Sequence, residues 1–275
     1  MQLNLVSHTF TLDRPLIMGV VNVTPDSFSD GGRFLDPTAA AAQAARLVEE
    51  GADILDIGGE SSRPGAEPVP LEEELRRVLP VLAACLPLGK PVSIDTYKPE
   101  VMRAVTEAGA AMLNDIWGFR REGAFEAACA AAKQGVALCI MHMQRDPQNM
   151  QREPFYNDVV AEVGQFLRER VAAFEAAGVP RAQLTIDPGF GFGKTVAHNL
   201  QLLRSLQQIA AQGVPLLAGL SRKSTIGALT GRSAGERMVG SVAAALIAAQ
   251  NGATILRVHD VAATRDALAV WAAVK

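Results

Sequence analysis

The chain has 275 residues, of which 49% are hydrophobic and 20% charged, and a formal net charge of -3. That balance is ordinary for a globular protein and leaves no global basic field to favour nucleic acid or an anionic membrane surface. The N-terminal MQLNLVSHTF lacks a basic leader region and a long apolar core, and no run of about 18 apolar residues occurs, so neither a secretion signal nor a membrane span is expected.

One pattern recurs down the chain: an apolar run, a polar residue at its C-terminal end, a Gly-rich loop, then an Ala-rich helix. Residues 3–12 predict a short strand or hairpin placed as a plug under a barrel. Strand one is 17–22, followed by the loop VTPDSFSDGG; a helix from Asp36-Pro37-Thr38 runs to Glu50, and Gly51 ends it. Strand two is 53–58, then GGESSRPGAEPVP and a helix over 71–85. Strand three is 91–95, with a helix from Pro99 closed by Gly109. Strand four is 111–116, with a helix over 124–133 closed by Gly135.

Strand five is 136–143 and precedes a long helix over 157–177. Strand six is 184–187, then PGFGFGKT and a helix over 197–211. Strand seven is 215–220, followed by a short helix at 224–229 and a main one at 236–250. Strand eight is 253–258, and the helix 262–274 follows. Cys85, Cys129 and Cys139 show no CxxC spacing and lie in apolar surroundings, which reads as free thiols in a reducing cytoplasm. About eight alternations of strand and helix without a linker predict an α/β fold, a (β/α)8 TIM barrel spanning 1–275 as a single domain. A doubly wound sheet is the second choice; it would more often carry one dominant Gly-rich loop.

Alternation along each strand sorts the polar residues. Ser93 and Asp95 share a face, as do Thr185 and Asp187, and Ile255, Arg257 and His259. Asn22, Asp56, Asn114 and Ile116 follow the same logic. The barrel therefore gathers Asp56, Asp95, Asn114, Asp187, Arg257 and His259 at one end. For any one of them an internal ion pair, such as Arg257 with an Asp, is the plainer explanation; six converging groups favour a site.

Ser221-Arg222-Lys223-Ser224 follows strand seven. Ser224 is placed to cap a short helix, and the group reads as a phosphate site together with Arg257 and His259 rather than as a solvated Arg-Lys pair. GFGFGK at 189–194 lacks P-loop spacing and reads as a tight turn whose glycines let the backbone approach a flat ligand. His142 reads as a hydrogen-bonded packing histidine, and no His/Cys metal cluster is evident.

Eight motifs in order, NVTPDSFSDGG, GGESSRPGA, SIDTYKPEV, LNDIWGF, IMHMQ, DPGFGFGKT-AHN, GLSRKS-IG and RVHDV, cover nearly the whole chain, which resembles dihydropteroate synthase of folate biosynthesis. The resemblance implies condensation of 6-hydroxymethyl-7,8-dihydropterin diphosphate with 4-aminobenzoate, giving 7,8-dihydropteroate and diphosphate. It also implies Mg2+, a homodimer and a sulfonamide target, sulfonamides being mimics of aminobenzoate. By position it assigns Asp95, Asn114, Ile116, Met141, Asp187, Phe192, Gly219 and Lys223 to the pterin. It assigns Asn22, Ser62, Arg63, Arg257 and His259 to the diphosphate, with Asn22 as the Mg2+ ligand. Phe28, Arg63, Pro64, Lys223 and Ser224 fall to the aminobenzoate, and Asp95, Lys223 and Arg63 to catalysis. At position 62 the family often has Thr, and Ser keeps the hydroxyl. Loops 23–33 and 61–67, rich in Gly, Pro, Ser and Asp, are expected to order when ligand binds. Two other readings are a corrinoid-dependent methyltransferase domain, which has no use for a diphosphate site, and a catalytically silent pterin-binding paralogue.

Overall fold

The structure is a computed structural model describing residues 1–22, 37–61, 65–146, 149–150 and 153–274, with only the backbone described at Asn22 and Pro37. The chain opens with an antiparallel hairpin, β1 (Gln2–Leu5) and β2 (His8–Thr11). Then come β3 (Leu16–Asn22), α1 (Pro37–Glu49), β4 (Ile54–Gly58), α2 (Leu71–Cys85), β5 (Val92–Asp95), α3 (Pro99–Glu107), β6 (Met112–Asp115) and α4 (Ala124–Ala132). The second half continues with β7 (Ala137–Met141), α5 (Val159–Ala176), β8 (Leu184–Asp187), α6 (Val196–Arg204), α7 (Leu206–Ala210) and β9 (Leu217–Ala218). It ends with α8 (Ser224–Thr230), α9 (Met238–Gln250), β10 (Ile255–Val258) and α10 (Val261–Val274).

Strands β3 to β10 form one eight-stranded sheet in the order β8-β7-β6-β5-β4-β3-β10-β9, with every ladder parallel. A bridge between Ile186 and Leu216 joins its two ends. The predicted (β/α)8 barrel is thus formed. Short strands buried on both faces are what helix-covered parallel sheets require, and β4, β6, β7 and β8 are buried almost throughout.

The inward face is split into two zones. Towards the N-terminal ends of the strands, Leu16, Met18, Ile54, Met112, Ala137, Leu217 and Ile255 pack with Leu3 and Leu5 of the hairpin. Val6 N donates to Gly135 O at 2.8 Å and ties the hairpin across that end. The expected plug is there, and ligands must enter from the opposite, C-terminal end. Higher up the inward side chains turn polar.

Three element boundaries differ from the sequence reading. The segment 197–211 is two helices, α6 and α7, broken at Ser205, whose backbone leaves the helical region (φ -103, ψ 17). Strand seven keeps only Leu217–Ala218 in the ladder, because β10 pairs with it at two positions and β8 touches it through one bridge. Strand five ends at Met141, the last residue of β7 paired with β8, and His142 N donates to Asp187 O at 2.9 Å just beyond it.

Candidate active site

The strand ends bring Asp95, Asn114, Met141, Asp187 and Arg257 to one mouth, as side-chain alternation requires. At its base Arg257 Nε donates to Asp56 Oδ2 at 2.7 Å and Arg257 Nη2 to Asp95 Oδ2 at 3.2 Å. Asp56 is fully buried. The internal ion pair considered for Arg257 is therefore present, and two of its donors are committed to carboxylates. The rest of the guanidinium is left for other partners, and the pairing orients Asp95. Burial pushes the Asp95 carboxyl up to about 7, with Arg257 opposing and Asp56 reinforcing.

Asp187 is buried and accepts from Gly189 N at 2.7 Å on one oxygen. Burial raises its pKa, while Lys223, the Gly189 amide and Lys194 oppose the rise. Asn114 is also buried, and its carbonyl takes Thr96 N at 3.0 Å; its side-chain amide has no hydrogen-bond partner among the described residues. An acceptor-only carboxylate and a donor-plus-acceptor amide thus face one mouth, a set matched to the mixed edge of a heterocycle. Ile116, Met141 and Phe192 form one apolar cluster with Met143 and Met150, against which Tyr97 and Trp117 pack. This is a wall suited to a flat ring. Gly219 lies where an added Cβ would stand 3.8 Å from both Arg257 Cβ and Lys223 Nζ, so a side chain there would fill the space between the two cations.

Lys223 Nζ donates to Phe190 O and stands 4.7 Å from the Phe192 ring centroid. Burial pulls its pKa down to about 8, with Asp187 opposing. Its placement depends on the 188–194 loop. Gly189 has φ +68, and a Cβ on it would fall 1.9 Å from His142 O. Gly193 has φ +60, and its Cβ would fall 2.9 Å from Gln144 O. These glycines let the loop lie against the backbone just beyond β7.

Ser224 is not a cap: α8 starts with it, Lys223 is the N-cap residue, and no side chain caps that end. Arg222, read as part of a phosphate group, is paired with Asp260 at 2.6 and 3.1 Å and holds φ +58. His259 is placed by Ser221, whose hydroxyl takes His259 N at 3.2 Å and pairs with Nδ1 at 2.9 Å. His142 is the packing histidine expected, buried, edge-on to Phe166, with Nδ1 at 3.0 Å from Lys194 Nζ. Phe28, Ser62, Arg63, Pro64 and the Asn22 side chain lie outside the described residues, as do most of the loops expected to order.

Two clusters carry no spacing signal in the sequence. Lys98 bridges Glu60 (2.5 Å) and the buried Glu74, while Tyr97 OH donates to Glu60 at 2.7 Å and Thr96 Oγ1 to Glu74 at 2.6 Å. This clasp ties the loop after β4 to the loop after β5, beside a cavity of about 300 Å³ bounded by Asp95, Tyr97, Ile116 and Trp117. The second cluster surrounds Lys194.

Fold and mouth together define an enzyme of the pterin binding class, and the pterin binding enzyme family model matches residues 18–259. A dihydropteroate synthase of Neisseria meningitidis serogroup C is 52% identical over 266 residues, 95% of this chain and 93% of the relative. That of Escherichia coli strain K12 is 48% identical over 260 residues, 94% and 91% of the two chains. Among solved structures, Xanthomonas albilineans dihydropteroate synthase with 4-aminobenzoic acid superposes with a TM-score of 0.92 at 56% identity, covering 99% of this chain and 98% of that one. The same enzyme with 7,8-dihydropteroate gives 0.89 at 53% identity, covering 100% and 98%. The chain belongs to the dihydropteroate synthase family.

Proposed function

We infer that this chain is the transferase that condenses 6-hydroxymethyl-7,8-dihydropterin diphosphate with 4-aminobenzoate, releasing 7,8-dihydropteroate and diphosphate. The observation that carries this reading is the convergence of Asp187, Asn114 and Lys223 over one apolar wall at the open end of the barrel. The related Xanthomonas albilineans structures that hold 4-aminobenzoic acid and 7,8-dihydropteroate support it.

The residues suit the steps. Asp187 accepts from the pterin ring N–H groups, Asn114 pairs with the other edge, and Ile116, Met141 and Phe192 cover the ring face. The C–O bond to diphosphate breaks, the arylamine nitrogen forms the C–N bond and gives up one proton to the departing diphosphate or to water, so no protein nucleophile is required. Positive charge developing on the pterin methylene is met by Asp95, held by Arg257. Negative charge on the leaving group is met by Lys223 and His259, with Ser62 and Arg63 as further donors. Phe28, Pro64 and Ser224 complete the aminobenzoate end.

The proposed reaction calls for Mg2+. No three His, Cys, Asp or Glu side chains gather among the described residues, and Mg2+ keeps its waters and rides on substrate phosphates with one or two protein oxygens. Asn22, at the end of β3, would hold it, and when bound it neutralises diphosphate oxygens. The whole chain is read as one functional domain. A homodimer is supported by the exposed apolar residues Val239 and Ile247 on α9 and Val270 on α10. A cytoplasmic setting is supported by three free cysteines; no helix among the described residues is long and apolar enough to cross a membrane.

The deciding experiment supplies both substrates with Mg2+ and measures diphosphate and dihydropteroate. Formation of both in equal amounts is expected, and omission of aminobenzoate must abolish dihydropteroate. Failure of the complete mixture to yield it would return the chain to a silent pterin binder.

A further inference from the structure

The proposed chemistry uses Lys223 and leaves the second lysine of the mouth, Lys194, without a task. Lys194 is 3% exposed. Its Nζ lies 3.0 Å from His142 Nδ1, 3.0 Å from Gly189 O, 3.0 Å from Phe192 O and 3.4 Å from His142 O. Burial pulls the Lys194 pKa down to about 7, with Asp187 opposing and Lys223 reinforcing; against that, three acceptors at 3.0 Å match three N–H donors where a neutral amine has only two, so the cage is shaped for the ammonium form. Burial holds His142 neutral, with its pKa down to about 2, so its ring nitrogen can accept.

The cage is the hub of the loop beside the pterin wall. Gly189 O points into it while Gly189 N bonds Asp187 Oδ1 at 2.7 Å. Phe190 O, one residue on, receives Lys223 Nζ. Phe192 O points into the cage, and the Phe192 ring forms part of the apolar wall. Asn199 Oδ1 takes Gly191 N at 2.8 Å, and Tyr156 OH holds Gly193 O at 2.9 Å from outside. Asp187, Lys223 and Phe192 are therefore each within one bond or one residue of a carbonyl held by Lys194.

We propose that Lys194 is a positioning residue for the pterin: its ammonium winds the 188–193 loop about itself and thereby fixes the Asp187 carboxylate, the Lys223 ammonium and the Phe192 ring relative to one another. It does not touch the substrate. The inference rests on the function proposed above, since it names the site that the loop serves. A lysine serving packing alone would matter to folding and not to the ligand, which gives the test.

Lys194→Met keeps the stem and removes the donors; Lys194→Gln keeps two N–H donors and removes the charge. Calorimetry with 6-hydroxymethylpterin is expected to show at least about a tenfold rise in Kd for Lys194→Met, the scale of a lost charge-assisted hydrogen bond. Lys194→Gln should fall between this and the native chain, and it is the variant to read if Lys194→Met does not fold. The KM for the pterin diphosphate should rise in parallel, with kcat at saturation falling by less than about threefold, because bound pterin helps to rewind the loop. A lower melting temperature with unchanged pterin Kd and KM in the folded variants would overturn the proposal. A native chain that binds pterin yet makes no dihydropteroate would instead overturn the function, and the calorimetric comparison would still decide the role of Lys194.

Discussion

Asp187 shows how one atom can commit a side chain. Its Oδ1 is taken by Gly189 N at 2.7 Å, so an asparagine in its place must keep its own oxygen there and turn its NH2 towards the mouth. A donor would then face the pterin donors. Asp187→Asn is expected to weaken pterin binding by about ten- to a hundredfold, the scale of a charge-assisted hydrogen bond worth about 1.5–3 kcal/mol; calorimetry with the pterin alone measures it. Lys223 sets a pH limit. Burial lowers its pKa to about 8, so it carries its proton below that pH and loses it above. In the proposed site the charged form meets the diphosphate, so kcat/KM for the pterin substrate should fall on the alkaline side with an apparent pKa of about 8. Lys223→Arg, always charged, should lower the plateau and remove that limb. An unaltered alkaline limb in the variant would assign it to another group.

The loop between β8 and α6 is the element on which the mouth depends. Gly189 sits at φ +68 with no room for a Cβ beside His142 O. Gly189→Ala must displace the loop from the end of β7 and carry Phe190 O and Lys223 with it. A loss of about 1–3 kcal/mol in stability is expected from strain alone, more with the clash, together with loss of pterin affinity. Gly178, at φ +87 after α5, has nothing within 4 Å of its would-be Cβ. Gly178→Ala should cost about 1–2 kcal/mol from the left-handed conformation and leave pterin binding unchanged. Thermal melts and calorimetry on the two variants separate backbone strain from loop placement.

At the scale of the molecule, the barrel is closed to ligand at one end by the hairpin and open at the other, so catalysis is confined to the strand C-termini. The outer layer is not uniformly polar. Val239 of α9 is 75% exposed and Ile247 43%, two turns apart on a helix built almost wholly of apolar residues, and Val270 of α10 is 68% exposed. Apolar residues grouped on packed neighbouring helices mark an association surface. On the homodimer proposed above, Ile247→Asp is expected to shift the native species towards monomer in sedimentation velocity. A native chain that sediments as a monomer would overturn the homodimer, and a variant as dimeric as the native chain would move the interface to another face.

The sequence by itself determined the order of elements, the closed parallel barrel, the plug and the inward set Asp95, Asn114, Asp187 and Arg257. The physical reason is that strand alternation and helix punctuation are local properties, readable at spacings of a few residues. It could not decide what each inward group touches. Arg257 meets Asp56 across 201 residues of chain, and Lys194 meets His142 across 52. Such pairings depend on how neighbouring strands are staggered around the barrel. The same holds for the two-residue β9, the break between α6 and α7, and Ser224 as the first residue of α8 instead of its cap. In each case tertiary packing chose among backbone conformations that local propensity left close in energy.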